Sequence, residues 1–246
     1  SLTPIALGDL QAAAVDLSAV KTVPGASGIA MILVDPQGEN VIAVLPGANA
    51  GMTADDAATA IALMDEADIL LVQQEIPQEA TLAALEQARG RGIRSILNTA
   101  PFLPSTAKAA ELAAIVVANE SEFALLAGCG PVPSVDDVKA WATAHSQIVV
   151  VTLGAKGVLA SDGQSNWAVP APIIEPVDTV GAGDTFCGYL ADGLSQGVAM
   201  EQALQRATVA ASLACLKPGA QPAIPLASDV EGALLKMSND VSAAIA

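Results

Sequence analysis

The sequence predicts a single α/β domain in which helices cover both faces of a mainly parallel sheet. The chain has 246 residues, which suits one domain of this class with a sizeable core. Short apolar runs alternate with helical stretches through the middle of the chain, as they do in βαβ units. Hydrophobic residues make up 52% of the chain and aromatic residues only 2%, so Ala, Val, Leu and Ile must build the core.

The first two strands are predicted to form a hairpin near the N-terminus. Gly28–Val34 and Val41–Leu45 are apolar, and Asp35–Asn40 between them contains the Pro, Gly and Asn residues of a turn. No helix separates the two strands. We therefore expect a hairpin that is an appendage to the α/β body.

After the hairpin, helices and strands alternate. Thr53 is expected to cap a helix that runs to roughly Ala67, with Asp56 as its capping-box partner. Pro77 suits the first turn of a helix that runs to about Arg91. Four apolar runs are predicted as strands: Asp68–Val72, Ile93–Leu97, Ala114–Ala118 and Ile148–Leu153. Two more helices are predicted, from Gly183 to about Gln196 and from Met200 to about Leu216.

The composition excludes several classes of function. The net charge of −16 would repel a polyphosphate backbone, so we expect no nucleic-acid partner. Three cysteines without a CxxC pair, and one histidine, argue against a disulfide framework or a structural zinc site, and fit a reducing compartment. We find no apolar run of membrane-spanning length and no signal-peptide pattern at Ser1–Pro4, so the sequence predicts a cytoplasmic protein without a membrane partner.

The segment DTVGAGDTF, residues 178–186, is the strongest candidate for a functional site. Gly181, Ala182 and Gly183 precede Asp184 at the start of a predicted helix, where unpaired N–H groups can bind an anion. A carboxylate beside such a site suits a general base that takes a proton from a hydroxyl during phosphoryl transfer. On spacing alone, a glycine-rich turn with an acidic residue in the first helical turn explains the segment equally well. The chain contains neither a P-loop sequence nor GxGxxG.

The longer stretch DTVGAGDTFCGYLA resembles the C-terminal signature of the ribokinase-like (PfkB) family of carbohydrate kinases. Four other stretches resemble family segments in the same order: SGIAMILVDPQGENVIAVLPGAN (27–49), NESE (119–122), TLGAKG (152–157) and KPGAQPAIP (217–225). The resemblance covers nearly the whole chain. It implies one ribokinase-like domain over residues 1–246, with three α/β/α layers and a lid hairpin at about 28–45.

The resemblance also implies an activity and its catalytic residues. The expected reaction is transfer of the γ-phosphoryl of ATP to a sugar hydroxyl, with ribose as the first candidate and fructose, a keto-deoxy sugar acid or a nucleoside as alternatives. Asp184 would be the catalytic base, and Gly181, Ala182 and Gly183 would form the anion hole. Glu75 corresponds to a position that contacts the sugar. Family ribokinases pair through their lid hairpins, so a homodimer is expected.

The remaining implied residues bind the nucleotide and the metal ions. Thr152, Gly154, Lys156 and Gly157 would bind ATP together with Gly183. Glu122 would organise Mg²⁺ through water, with Asn119 near the phosphates. The resemblance implies a site for a monovalent cation, K⁺, formed by six residues: Asp178, Val180, Ala214, Lys217, Gly219 and Ala223. Ala223 stands where the family often has serine.

Each of these residues also has a purely structural interpretation. Asn119 can cap the helix that begins at Glu120, Asp178 can hold a turn, and Glu75 can be a solvated loop acid. Gly154 and Gly157 can serve as hairpin glycines. The same residue types in the order of the family favour the functional interpretation over these.

The start of the chain departs from the family pattern. Family members begin with a strand that carries a sugar-binding aspartate, followed by a Gly-Gly-x-Gly-x-Asn segment, and residues 1–20 contain neither. The sequence therefore predicts a nucleotide half without part of the sugar pocket, and poor or absent sugar phosphorylation by this chain alone. Two alternatives remain, a non-catalytic nucleotide-binding or oligomeric scaffold, and an ordered fragment without a function of its own.

Overall fold

The computed structural model describes the backbone of residues 3–34 and 40–245 and the side chains of residues 7–31 and 43–237. Most of the predicted hairpin turn, residues 35–39, lies outside this part of the chain. The described strands are β1 Ile29–Val34, β2 Asn40–Leu45, β3 Ile69–Val72, β4 Arg94–Asn98, β5 Ile115–Asn119, β6 Ile148–Thr152, β7 Val158–Ser161 and β8 Asn166–Val169. The described helices are α1 Thr3–Ala12, α2 Ala54–Ala62, α3 Gln78–Gly90, α4 Thr106–Ala110, α5 Glu120–Ala127, α6 Val135–His145, α7 Ala182–Ser195, α8 Met200–Ala214 and α9 Ala227–Ile245.

The strands form two separate sheets. β1 and β2 are an antiparallel pair in which Ile29 lies opposite Leu45, which confirms the predicted hairpin strands. The main sheet has the order β3-β4-β5-β6-β7-β8. Its first four strands are parallel, and β7 and β8 are antiparallel to their neighbours. The predicted mainly parallel sheet is therefore confirmed. The strands β7 and β8 were not predicted, because they follow β6 without an intervening α-helix and so fall outside the alternation of strands and helices.

Alternate residues of the central strands pack on opposite faces of the sheet. Ile115 and Val117 of β5 contact the core formed with α7 and α8. Val116 of β5 and Val149 and Val151 of β6 contact the core formed with α5 and α6. These strand residues are at most 3% exposed, so both faces are covered. The predicted three-layer α/β/α architecture is confirmed.

Local sequence determines where helix α2 begins and ends. Thr53 and Asp56 form the predicted capping box, and the Asp56 carboxylate also accepts hydrogen bonds from Lys21 Nζ at 2.8 Å. The hydrogen bond from Lys21, followed by those from Thr53, lowers the pKa of Asp56 to about 2. The prediction that this helix reaches Ala67 is wrong: α2 ends at Ala62. The Asp68 carboxylate accepts a hydrogen bond from the Asp65 N–H at 2.8 Å, which closes a turn instead.

The other predicted helices begin and end within two residues of their predicted limits. Pro77 lies one position before α3 rather than in its first turn. Helix α7 begins at Ala182, one residue earlier than predicted. Helix α8 ends at Ala214, and Cys215 is its C-cap. No helix in the described ranges has the length and hydropathy that crossing a bilayer requires.

The strand β3 forms one edge of the main sheet. Across residues 3–34 and 40–245, β3 pairs with β4 on one side only. Leu71 in this strand is 39% exposed. The backbone N–H and C=O groups along the other side of β3 thus have no strand partner within the described residues.

Candidate active site

The segment before α7 requires glycine at its turn. Gly181 is the N-cap of α7 and has a left-handed backbone, with φ 77° and ψ 1°. A Cβ atom on Gly181 would lie 3.2 Å from both the Cα and the Cβ of Ala220. Gly181 therefore brings the start of α7 against the loop that follows α8.

The first turn of α7 presents free N–H groups to solvent. The Ala182 N–H donates to the Thr179 carbonyl at 3.3 Å, whereas the N–H groups of Gly183 and Asp184 have no acceptor among the described residues. Gly183 is exposed, and a Cβ built on it would have no atom within 4 Å. An anion can therefore approach two backbone donors at the positive end of the helix.

The Asp184 side chain lies at this same helix start. Asp184 is the third residue of α7, is exposed, and has no hydrogen bond or ion pair with other described side chains. Nearby, burial raises the pKa of the Cys187 thiol to about 12, and the carboxylates of Asp184 and Glu122 add to this effect. The Asp184 and Glu122 carboxylates thus both lie close enough to Cys187 to affect its thiol, which is buried at 3% exposure and inert.

A cleft of about 430 Å³ begins at the start of α7. This volume is in the range of small-ligand sites. The cleft is lined by Thr152, Gly154, Ala155, Gly157, Ala171, Pro172, Ile173, Ile174, Pro176, Thr179, Ala182, Gly183, Phe186, Thr208, Ala211, Ser212 and Cys215. None of these residues carries a charged side chain. Of the predicted site residues, the structure thus brings Thr152, Gly154 and Gly157 together with Ala182 and Gly183 around one cavity.

The turn after β6 forms one wall of the cleft. Gly157 has φ 101°, and its carbonyl accepts a hydrogen bond from the Leu153 N–H at 2.8 Å. The side chain of Lys156 in this turn is exposed and forms an ion pair with Glu120 at 3.3 Å. Lys156 does not line the cleft, so its predicted contact with the nucleotide remains a prediction.

Asn119 and Glu122 form a capping box at the start of α5. The Asn119 Oδ1 accepts from the Glu122 N–H at 2.8 Å, and the Glu122 Oε2 accepts from the Asn119 N–H at 3.1 Å. The buried Thr99 hydroxyl also donates to Oε2 at 2.8 Å. Asn119 therefore does cap the helix, and the same hydrogen bonds hold Glu122 in place at the carboxyl end of the sheet.

The residues present allow a Mg²⁺ ion to be held mainly by phosphate and water. Within the described side chains, no group of three or more His, Cys, Asp or Glu residues could hold a metal ion. Glu122 Oε1 has no hydrogen-bond partner in the same part of the chain, so it is available to a metal-bound water. Mg²⁺ in phosphoryl-transfer sites keeps several water ligands and binds few carboxylates. A single carboxylate, that of Glu122, acting through water fits this coordination.

Asp178 joins two loops next to the cleft. Its Oδ1 accepts from the Val180 N–H at 3.0 Å and its Oδ2 from the Gly219 N–H at 2.9 Å. These two backbone hydrogen bonds lower the pKa of Asp178. The Asp178 N–H in turn donates to the Cys215 carbonyl at 3.2 Å. The structure thus brings Asp178, Val180 and Gly219 together, with the backbone N–H groups of the last two on the Asp178 carboxylate. The cation site predicted at these residues remains a prediction.

The other residues predicted for the cation site lie along the loop after α8. The Ala214 carbonyl accepts the Lys217 N–H at 3.4 Å, which makes the turn that leads to Gly219. Ala223 is buried at 1% exposure, while the Lys217 side chain is exposed. Ala214 and Lys217 therefore lie in the turn that leads to Gly219, which contacts the Asp178 carboxylate.

Glu75 lies apart from the cleft. It is exposed on the loop after β3, where its N–H donates to the Gln73 side chain. The neighbouring Gln74 is buried; its Nε2 donates to the Thr99 and Pro101 carbonyls, and its Oε1 accepts from the Thr106 hydroxyl at 3.2 Å. Gln74 and Thr99 both directly follow strands of the main sheet, where ligands of such sheets bind, but no sequence motif assigned either residue a role.

The family profile and the most similar curated proteins indicate the same family. The profile described as pfkB family carbohydrate kinase matches residues 6–227. The chain is 32% identical over 229 residues to the ribokinase of Staphylococcus aureus, an alignment that covers 91% of this chain and 75% of that protein. It is 35% identical over 205 residues to the ribokinase of Bacillus subtilis, which covers 83% of this chain and 68% of that protein.

A solved structure shows the same fold. The crystal structure of ribokinase from Cryptococcus neoformans in complex with ADP superimposes with a TM-score of 0.78 and 28% identity. The superposition covers 94% of this chain and 79% of that chain. The family profile spans the helix start at Asp184, the cleft and the Asp178 junction. This chain belongs to the pfkB family of carbohydrate kinases.

Proposed function

We propose that this chain is an ATP-dependent sugar kinase that transfers the γ-phosphoryl of ATP to a primary hydroxyl of ribose, with ribose 5-phosphate and ADP as products. One observation carries the proposal: two unpaired N–H groups and an exposed carboxylate occupy the same helix start, at one end of a cleft of about 430 Å³. The names of the two ribokinase relatives support ribose as the acceptor.

The proposed chemistry assigns one role to each part of the helix start. The Asp184 carboxylate accepts the proton of the sugar hydroxyl while that oxygen bonds to the γ-phosphorus. The bond between the γ-phosphorus and the bridging oxygen breaks, and ADP leaves with the bonding electrons. The backbone N–H groups of the Gly181–Gly183 segment and of Asp184 stabilise the charge on the transferring group.

The nucleotide and its metal ion occupy the residues around this centre. In the proposal, Thr152, Gly154 and Gly157 contact the nucleotide through the cleft wall, and Lys156 approaches it from the same turn. Glu122 and Asn119 hold Mg²⁺ through water, and the ion neutralises phosphate charge when bound. Asp178, Val180 and Gly219, with Ala214, Lys217 and Ala223, hold K⁺ beside the helix start.

Phosphorylation of ribose by the purified protein tests the proposal. We expect ribose-dependent formation of ADP from ATP, and ribose 5-phosphate as the product identified by mass spectrometry. Fructose and a nucleoside serve as competing acceptors in the same assay. Binding of ATP without turnover of any of these acceptors would overturn the proposed reaction.

A second candidate function is nucleotide binding without catalysis. Two observations favour it. The strand β3 has only one sheet neighbour among the described residues, and Glu75, predicted to contact the sugar, does not line the cleft. Positioning the acceptor hydroxyl contributes a large part of the rate of phosphoryl transfer. We therefore propose that this chain alone binds sugar weakly. Calorimetry separates the two candidates, because ATP binding without ribose binding supports the second.

The proposal extends to a homodimer that forms through the hairpin. Ile29, Met31 and Leu45 share one face of the β1–β2 sheet, and each is at least 40% exposed. Covering apolar surface of this kind drives association. Sedimentation velocity measures the assembly state, and a Met31→Asp variant that sediments like the wild type would oppose the hairpin as the contact.

The junction at Asp178 predicts a pH-dependent stability. Because the folded state lowers the pKa of Asp178, its carboxylate stabilises the fold above the ordinary pKa of about 4, and this contribution is lost as the pH falls through the lowered pKa. We expect Asp178→Asn to lower the Tm at neutral pH, because an amide nitrogen cannot accept the second N–H. The difference from wild type should shrink below about pH 4. Thermal unfolding from neutral to acid pH measures it, and a difference independent of pH would contradict the prediction.

A further inference from the structure

Three buried polar side chains join neighbouring loops at the carboxyl edge of the main sheet. Gln74 lies in the loop after β3, Thr99 directly follows β4, and Thr106 is the first residue of α4. Their exposed fractions are 5%, 0% and 0%. Burying an amide or a hydroxyl costs free energy unless the group finds a hydrogen-bond partner. Hydrogen bonds must therefore compensate the burial of all three side chains.

The Gln74 amide holds the loop that contains Thr99. Its Nε2 donates to the Thr99 carbonyl at 2.8 Å and to the Pro101 carbonyl at 3.0 Å. Its Oε1 accepts from the Thr106 hydroxyl at 3.2 Å. On the other side, the Thr99 N–H donates to the Val117 carbonyl of β5 at 2.9 Å. The backbone of Thr99 is therefore held from two directions, by Gln74 and by β5.

The Thr99 hydroxyl donates to the Glu122 carboxylate. Thr99 Oγ1 lies 2.8 Å from Glu122 Oε2 and 3.3 Å from the Val117 carbonyl oxygen. A hydroxyl has a single proton, and a charged carboxylate is a stronger acceptor than a carbonyl, so the shorter bond to Glu122 takes the proton. Oε2 also accepts from the Asn119 N–H at 3.1 Å. Two donors thus hold Oε2, while Oε1 has no partner among the described residues.

We infer that Thr99 is a positioning residue, which sets the affinity of the nucleotide site for Mg²⁺ by holding the Glu122 carboxylate. Because Oε2 is bound to Thr99 and Asn119, Oε1 is the oxygen that remains for a metal-bound water. Without the Thr99 hydroxyl, the half-buried carboxylate would keep only the Asn119 N–H as a donor and would be less restrained. Hydrogen-bond partners of metal-binding groups typically contribute about 10- to 100-fold to metal affinity. The inference rests on the proposed function, since it concerns the metal site proposed there.

Calorimetric titration of the intact chain with ADP, once with Mg²⁺ and once with EDTA, tests the inference. The ratio of the two affinities measures the contribution of Mg²⁺, and we expect it to be at least about 10-fold in the wild type. In Thr99→Val, the ratio should fall below about 3-fold. The affinity for ADP in EDTA should stay within about 2-fold of the wild type, because Thr99 does not line the cleft. Thr99→Ser keeps the hydroxyl and should restore most of the ratio.

The variant Glu122→Gln shows whether Thr99 acts through Glu122. This variant should itself lower the ratio, because it removes the charge that a metal-bound water would contact. Adding Thr99→Val to Glu122→Gln should then lower the ratio no further, since the group that Thr99 positions is already lost. A second, independent decrease in the double variant would overturn the inference.

Thr81→Val is the matched control, because Thr81 is also a buried threonine, at 2% exposure, and its hydroxyl has no hydrogen-bond partner among the described residues. Its ratio should equal that of the wild type. Circular dichroism and thermal unfolding check that each variant folds, and Thr99→Ala replaces Thr99→Val if the latter does not. A ratio that survives in the Thr99 variant, or an equal loss of affinity with and without Mg²⁺, overturns the inference and leaves the proposed function in place. Absence of nucleotide binding by the wild type overturns the proposed function and this inference with it.

Discussion

Asp184→Asn is expected to lower kcat for sugar phosphorylation by at least about 100-fold, because an amide cannot accept the proton of the attacking hydroxyl. The KM for ATP should change little, because the backbone N–H groups and the cleft remain. Asp184 is exposed and has no partner in the described part of the chain, so the variant should fold like the wild type. Steady-state kinetics with ribose as the acceptor, together with thermal unfolding, measure both effects.

Asp192→Asn is the matched control for this prediction. Asp192 is an exposed carboxylate two turns further along α7, where it accepts a hydrogen bond from Gln196 at 2.8 Å. Its replacement should leave kcat within about 3-fold of the wild type, as expected for a surface carboxylate outside the site. An Asp184→Asn variant that retains activity would remove Asp184 from the proposed role of base. An equal loss in both variants would point to a change in helix charge instead.

Gly157→Ala is expected to destabilise the fold by about 3 kcal/mol or more and to prevent nucleotide binding. Gly157 has φ 101°, and a Cβ at this position would lie 2.0 Å from the Val169 carbonyl oxygen and 2.7 Å from the Ala171 nitrogen. These are backbone atoms of the segment that leads into the cleft wall at Ala171. With this Cβ present, either the turn at Gly157 or the segment 169–171 must shift, so the cavity that both line changes shape.

Gly154→Ala provides the comparison in the same turn. Gly154 also has a positive φ of 56°, but a Cβ there would have no atom within 4 Å. Only backbone strain of about 1 kcal/mol is expected. Chemical denaturation of both variants and calorimetry with ADP measure the difference. Similar losses of stability in the two variants would mean that the close approach of Val169 to Gly157 does not decide the shape of this wall.

Much of the fold could be predicted from local sequence, because the patterns involved are local. Short apolar runs predicted the strands β3 to β6. Thr53 with Asp56 predicted the start of α2, since a capping box needs only four consecutive residues. The end of α2 was predicted too late, because the hydrogen bond from Asp65 to Asp68 competes with the helix and leaves no trace in the apolar pattern. The strands β7 and β8 were missed because no α-helix separates them from β6 or from each other, so the alternation of strands and helices does not mark them.

The candidate site likewise has a part that the sequence could identify and a part that it could not. The segment from Gly181 to Asp184 could be identified from sequence, because its glycines, its carboxylate and the helix that follows are contiguous. The partners of Asp178 and Glu122 could not, since the Gly219 N–H lies 41 residues from Asp178 and the Thr99 hydroxyl lies 23 residues from Glu122.

The sequence by itself determined the class of fold, the family resemblance and the helix start that is the candidate phosphate site. Only the tertiary structure decided which surfaces meet there: the loop 171–176, the turn at Gly157 and the hydroxyls of Thr208 and Ser212 enclose one cleft with that helix start. The physical reason is that glycine turns and helix caps are set by neighbours along the chain. A cavity is set by the packing of segments that are distant in sequence, and its walls carry no local pattern.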